Sequence, residues 1–201
     1  MHHQELKGSS FRMNRQFDLA PHGILRPEKI SWFFPAHTKD IVSELKSKSL
    51  RSFVSKSAQL LAEAGLKQEI KLMTQEDFLK WLPYYTEKMT NQSYEVLASP
   101  EWFTTKTEKG RDVYSIFITR QDTLVASLIF TYAPESQRSS IAFRANDRLD
   151  IFSGGRSSIG SLLDYAFLQW SLQYPCLVVS AGRSRNAFGV TISVGNLDFK
   201  R

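Results

Sequence analysis

Two stretches of the chain carry groups that could hold an anion. The first is Ser153-Gly154-Gly155-Arg156-Ser157-Ser158-Ile159-Gly160-Ser161, directly before an apolar run at helical spacing. Glycines let a backbone approach a ligand closely, and the open amides and dipole of a helix start favour phosphate or carboxylate. Arg156 adds a fork-shaped donor for the same anion. The plain alternative is a serine-capped helix start after a flexible turn. In the second stretch a core-like strand, Cys176-Leu177-Val178-Val179, leads into Ser180, Gly182, Arg183, Ser184 and Arg185, read here as a loop. Hydroxyl and guanidinium donors at the end of a sheet strand lie where open α/β sheets commonly bind ligands. The alternative is that these arginines only solvate a surface loop.

Other chemistries find less support. The glycine stretch lacks the Gly-Lys-Ser/Thr ending of a Walker loop and the glycine spacing of a dinucleotide fingerprint. No Gly-x-Ser-x-Gly elbow is present, and Cys176 has no histidine near it in sequence. Asp147, Asp150 and Asp164 show no arrangement that defines a paired-carboxylate site. His2 and His3 sit in a polar leader, and with only His22 and His37 elsewhere there is no metal-ligand spacing, so no metal is expected. The aromatic residues fall at core spacing rather than in a stripe for stacking RNA bases.

The elements that must position these stretches follow from periodicity and punctuation. Residues 1–16 read as a loose tail, and 17–36 as a segment broken by prolines that permits short strands, with Trp32-Phe33-Phe34 needing cover. From Thr38 the apolar spacing turns helical through Ile41, Leu45, Leu50, Val54, Leu60 and Leu61, and Gly65 is a natural stop. Ile70 and Leu72 alternate as a short strand, and Thr74 with Asp77 forms a capping box that opens a helix. Pro83 should kink or divide that helix, and Ser99-Pro100-Glu101 starts another. Three strands follow, "VYSIFIT", "LVASLIFTYA" and "SSIAFRA", the first two joined by a turn at Arg120-Gln121-Asp122. A helix over "SLLDYAFLQWSLQY" ends at Pro175, and a strand over 176–180 comes next. Helices and strands in this order specify a mixed α/β (α+β) domain.

Composition limits the setting. With 201 residues, of which 42% are hydrophobic and 12% aromatic, the chain can bury one sizeable core or two small lobes. The net charge of +6 favours acidic partners such as a nucleotide cofactor, RNA or a membrane surface. One cysteine cannot form an internal disulfide, and no apolar run reaches the roughly 18 residues of a membrane helix, so a reduced, cytoplasmic setting without a membrane span is expected.

The segments "SKSLRSFVSKSAQLLAEAGLKQEIKLMTQEDFLKWLPYYTEK", "DTLVASLIFTYA" and "SLLDYAFLQWSLQYPCLVVSAGRS", with the closing "NLDFKR", resemble the Fem-type acyltransferases of the GNAT superfamily. The resemblance covers roughly residues 46–201 and implies a GNAT-like mixed central sheet flanked by helices. It also implies a division into a tail (1–16), a reduced N-terminal lobe with a basic helix (17–66) and a GNAT-like acyltransferase domain (67–201). Members of that family often carry two copies of the fold and move an acyl or aminoacyl group onto an amine. The implied function is N-acyl transfer from an activated donor, acyl-CoA or alternatively aminoacyl-tRNA, to a small-molecule or peptide-like amine. RNA would then be a partner only with the second donor. Gly154, Gly155, Arg156, Ser158 and Gly160 would bind the donor, and Arg183, Ser184 and Lys200 would serve catalysis on the acceptor side. The chain departs from the superfamily's Arg/Gln-x-x-Gly-x-Gly/Ala loop, because Gly160 and Ser161 follow Arg156 one residue out of step. It is also short for a two-lobed member, so it could be a truncated product or need a partner copy, as in a homodimer, to complete its sheet. The alternative reading is a non-catalytic binding or assembly protein that kept the fold and lost the donor site.

Overall fold

A computed structural model describes residues 9–10, 29–34, 40–45, 47–147 and 158–185, with backbone only at 9–10, 29–34, 44 and 182–185. The chain divides into two compact units, residues 36–179 and residues 1–35 with 180–201. In the smaller unit, strands β1 (Ser9–Ser10) and β2 (Lys29–Phe34) pair antiparallel, Ser9 opposite Trp32 and Ser10 opposite Ser31.

The larger unit opens with three short helices, α1 (Ile41–Glu44), α2 (Lys48–Ser55) and α3 (Ser57–Glu63), where the apolar spacing had predicted a single helix. Polar side chains cap the starts of α1 and α2, while the break at Lys56 has no side-chain cap. Asp40 accepts from the Val42 amide at 2.9 Å, and Ser47 accepts from the Leu50 amide at 3.3 Å. Gly65 ends α3 with φ +63°, a conformation that an L side chain resists.

Strand β3 (Leu66–Leu72) leads into α4 (Gln75–Asn91), whose capping box forms as the sequence predicts. Asp77 N donates to Thr74 Oγ1 at 3.1 Å, and Thr74 N donates back to Asp77 Oδ2 at 3.1 Å. Pro83 lies inside α4 without dividing it. Helix α5 (Pro100–Glu108) starts at the expected proline, with Ser99 as its cap.

Strands β4 (Asp112–Arg120) and β5 (Thr123–Ala133) form the expected hairpin. Its two-residue turn puts Gln121 and Asp122 at φ 47° and 62°, the left-handed pair that matches strand twist. Strand β6 (Arg138–Asn146) and helix α6 (Ile159–Gln173) follow, giving the unit's strands the order β6-β5-β4-β3, and strand β7 (Val178–Arg185) begins at the unit's last residues. The pairs β3·β4, β4·β5 and β5·β6 are antiparallel. In contrast, β6 and β7 start side by side, where the Leu177 and Val178 amides donate to Gln137 O at 2.7 and 3.2 Å. Helix α6 is therefore the crossover between neighbouring strands of a mixed sheet.

One sequence reading changes here: Gly182, Arg183, Ser184 and Arg185 are backbone of β7, not a loop. Arg183 and Arg185 alternate with Gly182 and Ser184, a period-two pattern that suits a strand.

β5 is buried continuously because both faces are covered. On one face Ile129, Phe143 and Ala145 pack with Phe78, Trp81 and Tyr85 of α4 and Phe103 of α5. On the other, the Phe130 ring meets Phe167 and Trp170 of α6 at centroid distances of 5.0 and 4.6 Å. Trp81 is buried with its indole N–H bonded to Ser127 Oγ at 2.9 Å, which satisfies the one polar atom that the ring carries into the core.

Candidate functional site

The C-terminal end of β6 is where ion pairs join the sheet to helices on both of its faces. Successive strand residues point to opposite faces. Arg144 turns toward α6 and pairs with Asp164, both side chains largely covered. Asp147, two residues beyond the core residue Ala145, pairs with Lys88 of α4 at 2.8 Å. Each pair ties one helix to the same strand end. The glycine-rich stretch of residues 153–161 follows Asp147 in sequence after five intervening residues.

Ser158 caps α6, its hydroxyl accepting from the Ser161 amide at 3.3 Å. Its carbonyl accepts from the Ser161 and Leu162 amides at 3.0 and 3.3 Å. The amides of Ile159 and Gly160, in the first turn, have no carbonyl inside the helix to bond. Gly160 is buried, and a Cβ there would lie 3.5 Å from Ser158 Oγ and 4.0 Å from Arg144 Nη1. The guanidinium of Arg144 thus lies next to the first turn of α6.

Of the residues selected from sequence, the structure brings Ser158 and Gly160 together at this helix start. Arg183 and Ser184 lie in β7 as backbone. Gly154, Gly155, Arg156 and Lys200 lie outside the described residues. Sequence reasoning missed Arg144 and weighed Asp164 only for a paired-carboxylate site, not as the partner of an arginine. The signal was present, because one charge interrupts the apolar pattern of "IAFRA" and another interrupts "SLLDYAF".

On the α4 side of the same strand end is an open cleft of about 520 Å³, lined by residues 91–94 with Lys88, Asn146 and Asp147. Lys88 also meets Glu87 at 3.1 Å and sits 5.2 Å above the Tyr84 ring. Its hydrogen bond to Asp147, and then that to Glu87, push its pKa up against the opposing effect of burial. The Tyr84 hydroxyl is buried and has no hydrogen-bond partner among the described residues. Burial, with the charges of Asp147 and Glu87, drives its pKa far upward, so it stays a neutral phenol.

The described residues hold no group of three or more His, Cys, Asp or Glu that could bind a metal, and no helix among them is long and apolar enough to cross a membrane. Cys176 is buried, and burial pushes its thiol pKa up, away from nucleophilic use.

No protein-family profile and no curated protein sequence matches the chain. Solved structures do match. FemX superposes with a TM-score of 0.60 at 9% identity, over 88% of this chain and 58% of its own. The C-terminal domain of a protein assigned as a lysylphosphatidylglycerol synthetase from Agrobacterium fabrum gives 0.53 at 12% identity, over 80% of this chain and 48% of its own. L-PGS from Bacillus licheniformis gives 0.52 at 12% identity, over 86% and 52%. The chain thus spans about half the length of each of these proteins. At such identities the likeness is one of fold: the mixed sheet with its flanking helices is the GNAT-like α/β fold that the resemblance to Fem-type proteins implies.

Proposed function

We propose that the chain is an N-acyltransferase, moving an acyl or aminoacyl group from an activated donor to an amine. The observation that carries this reading is the crossover from β6 through the glycine-rich stretch to the serine-capped start of α6, set in a GNAT-like sheet. A helix start entered from glycines suits the phosphates of acyl-CoA or the backbone of an aminoacyl-tRNA. Gly154, Gly155, Arg156, Ser158 and Gly160 would bind that anionic carrier, while Arg183, Ser184 and Lys200 would serve the acceptor side. The amine attacks the thioester or ester carbonyl directly, the new C–N bond forming as the carrier's sulfur or oxygen leaves with a proton. Orientation and donors for the developing oxyanion supply the rate.

Calorimetric titration with acetyl-CoA and longer acyl-CoAs, beside filter binding of aminoacyl-tRNA, tests the donor. Binding that Arg156→Ala weakens is the expected result, and silence from every donor overturns the reading. The out-of-step glycine spacing favours a second reading, a non-catalytic binding or assembly protein. In that case Arg156→Ala and Arg183→Ala leave partner binding unchanged.

A further inference from the structure

The cleft beside α4 is lined by none of the residues assigned above to donor binding, and its chemistry is selective. It lies at the C-terminal end of a 17-residue helix, where the peptide dipoles sum to partial negative charge. Part of that last turn is already satisfied: Met89 O accepts from the Gln92 and Tyr94 amides at 3.2 and 2.8 Å, and Thr90 O accepts from the Ser93 amide at 3.0 Å. Within the cleft, Asp147 Oδ1 takes the Lys88 ammonium at 2.8 Å. A carboxylate can accept about four hydrogen bonds, and the Asp147 side chain remains 30% exposed, so it keeps capacity for a further donor. Asn91, Gln92 and Asn146 add amide oxygens that can accept as well.

Charge points the same way. The chain carries a net +6, yet among the described residues here Lys88 meets both Asp147 and Glu87, an excess of one carboxylate. An anion would be repelled by Asp147 and by the helix end. An apolar ligand would strip water from amides and charges without replacing their bonds. A primary ammonium, with three donors and no acceptor, matches the lining.

We propose that this cleft binds a primary ammonium group, with Asp147 as its counter-ion, and that the amine acceptor is seated there before transfer; the second clause rests on the acyltransferase reading. Lys88 is then a built-in competitor for the Asp147 carboxylate. Five residues, 148–152, separate Asp147 from the glycine-rich stretch that begins at Ser153, so in sequence the acceptor cleft and the donor stretch are joined by a short connection.

The test uses the full chain, isotope-labelled for amide NMR and titrated with n-butylamine, with butanol and butyrate as controls. Butylamine should perturb residues 91–94 with Asn146 and Asp147, whereas butanol and butyrate should not. Asp147→Asn should weaken binding roughly ten- to a hundredfold, the loss of one charge-assisted bond. Lys88→Met, which keeps the aliphatic stem over Tyr84, should tighten binding several-fold, a change that a purely structural ion pair would not give. Equal shifts with butanol, unchanged binding in Asp147→Asn, or weaker binding in Lys88→Met each overturn the site. The two readings fail separately. If butylamine binds the cleft but no donor acylates it, the ammonium site stands and its role in transfer falls. If Asp147→Asn transfers with an unchanged KM for the amine, transfer stands and the acceptor site falls.

Discussion

Replacing Asp77 by asparagine isolates the charge in the capping box of α4. The carboxylate accepts from Lys71 Nζ at 2.8 Å, from Thr74 N at 3.1 Å and from Thr74 Oγ1 at 3.0 Å. The Lys71 hydrogen bond, then the Thr74 amide, lower its pKa from 3.8 to about 2. Such a depression is equivalent to roughly 2 kcal/mol. The side chain is 27% exposed, so solvent screening leaves about 1–2 kcal/mol. Because the folded-state value lies below the unfolded one, this contribution is complete above pH ~4 and is lost as the pH falls toward 2. Urea unfolding of wild type and Asp77→Asn at pH 7, 5 and 3 checks it. The expected difference is about 1–2 kcal/mol at pH 7 and 5, shrinking to roughly half at pH 3. A difference that is the same at pH 3 and pH 7, or one below ~0.5 kcal/mol at pH 7, refutes the argument.

Ser127→Ala leaves the indole N–H of Trp81 buried without an acceptor, and urea unfolding should show a loss of about 1–3 kcal/mol. Adding Trp81→Phe should cost less than the sum of the two single changes; strict additivity counts against the bond. Gly65→Ala meets no side chain or backbone within 4 Å, so only its φ of +63° is strained, and a loss near ~1 kcal/mol is expected by the same assay. Cys176 should react with a disulfide reagent at pH 8 far more slowly in the folded chain than in urea, because burial both covers the thiol and raises its pKa. Equal rates in the two states would contradict that.

The parts of the fold legible in the sequence are those set by local chemistry. Thr74 and Asp77 announce the start of α4, Ser99-Pro100 that of α5, and the apolar run "LVASLIFTYA" the central strand. Where several local signals compete, the reading slips. The apolar spacing from Ile41 to Leu61 fits one helix, but Asp40 and Ser47 each start their own, and the chain breaks again at Lys56. Gly182 and the serines beside it carry turn chemistry, yet β7 runs through them, because pairing along a sheet outweighs the preference of a few residues. At the site, Ser158 and Gly160 were legible as a helix start. The two ion pairs were not, since Arg144 and Asp164 stand 20 residues apart and Lys88 and Asp147 come from different elements, so only the folded register makes them neighbours.

Strand β3 is the last in the sheet order, bonded to β4 alone among the described strands. Its rim is studded with Lys67, Gln68, Glu69 and Lys71. A second polypeptide trying to extend the sheet there would have to dehydrate these heads, two of them ammonium groups, for each new backbone bond gained. That side of the domain is therefore built to stay single in a crowded solution, and ribbon-like stacking of copies through it is disfavoured from the outset.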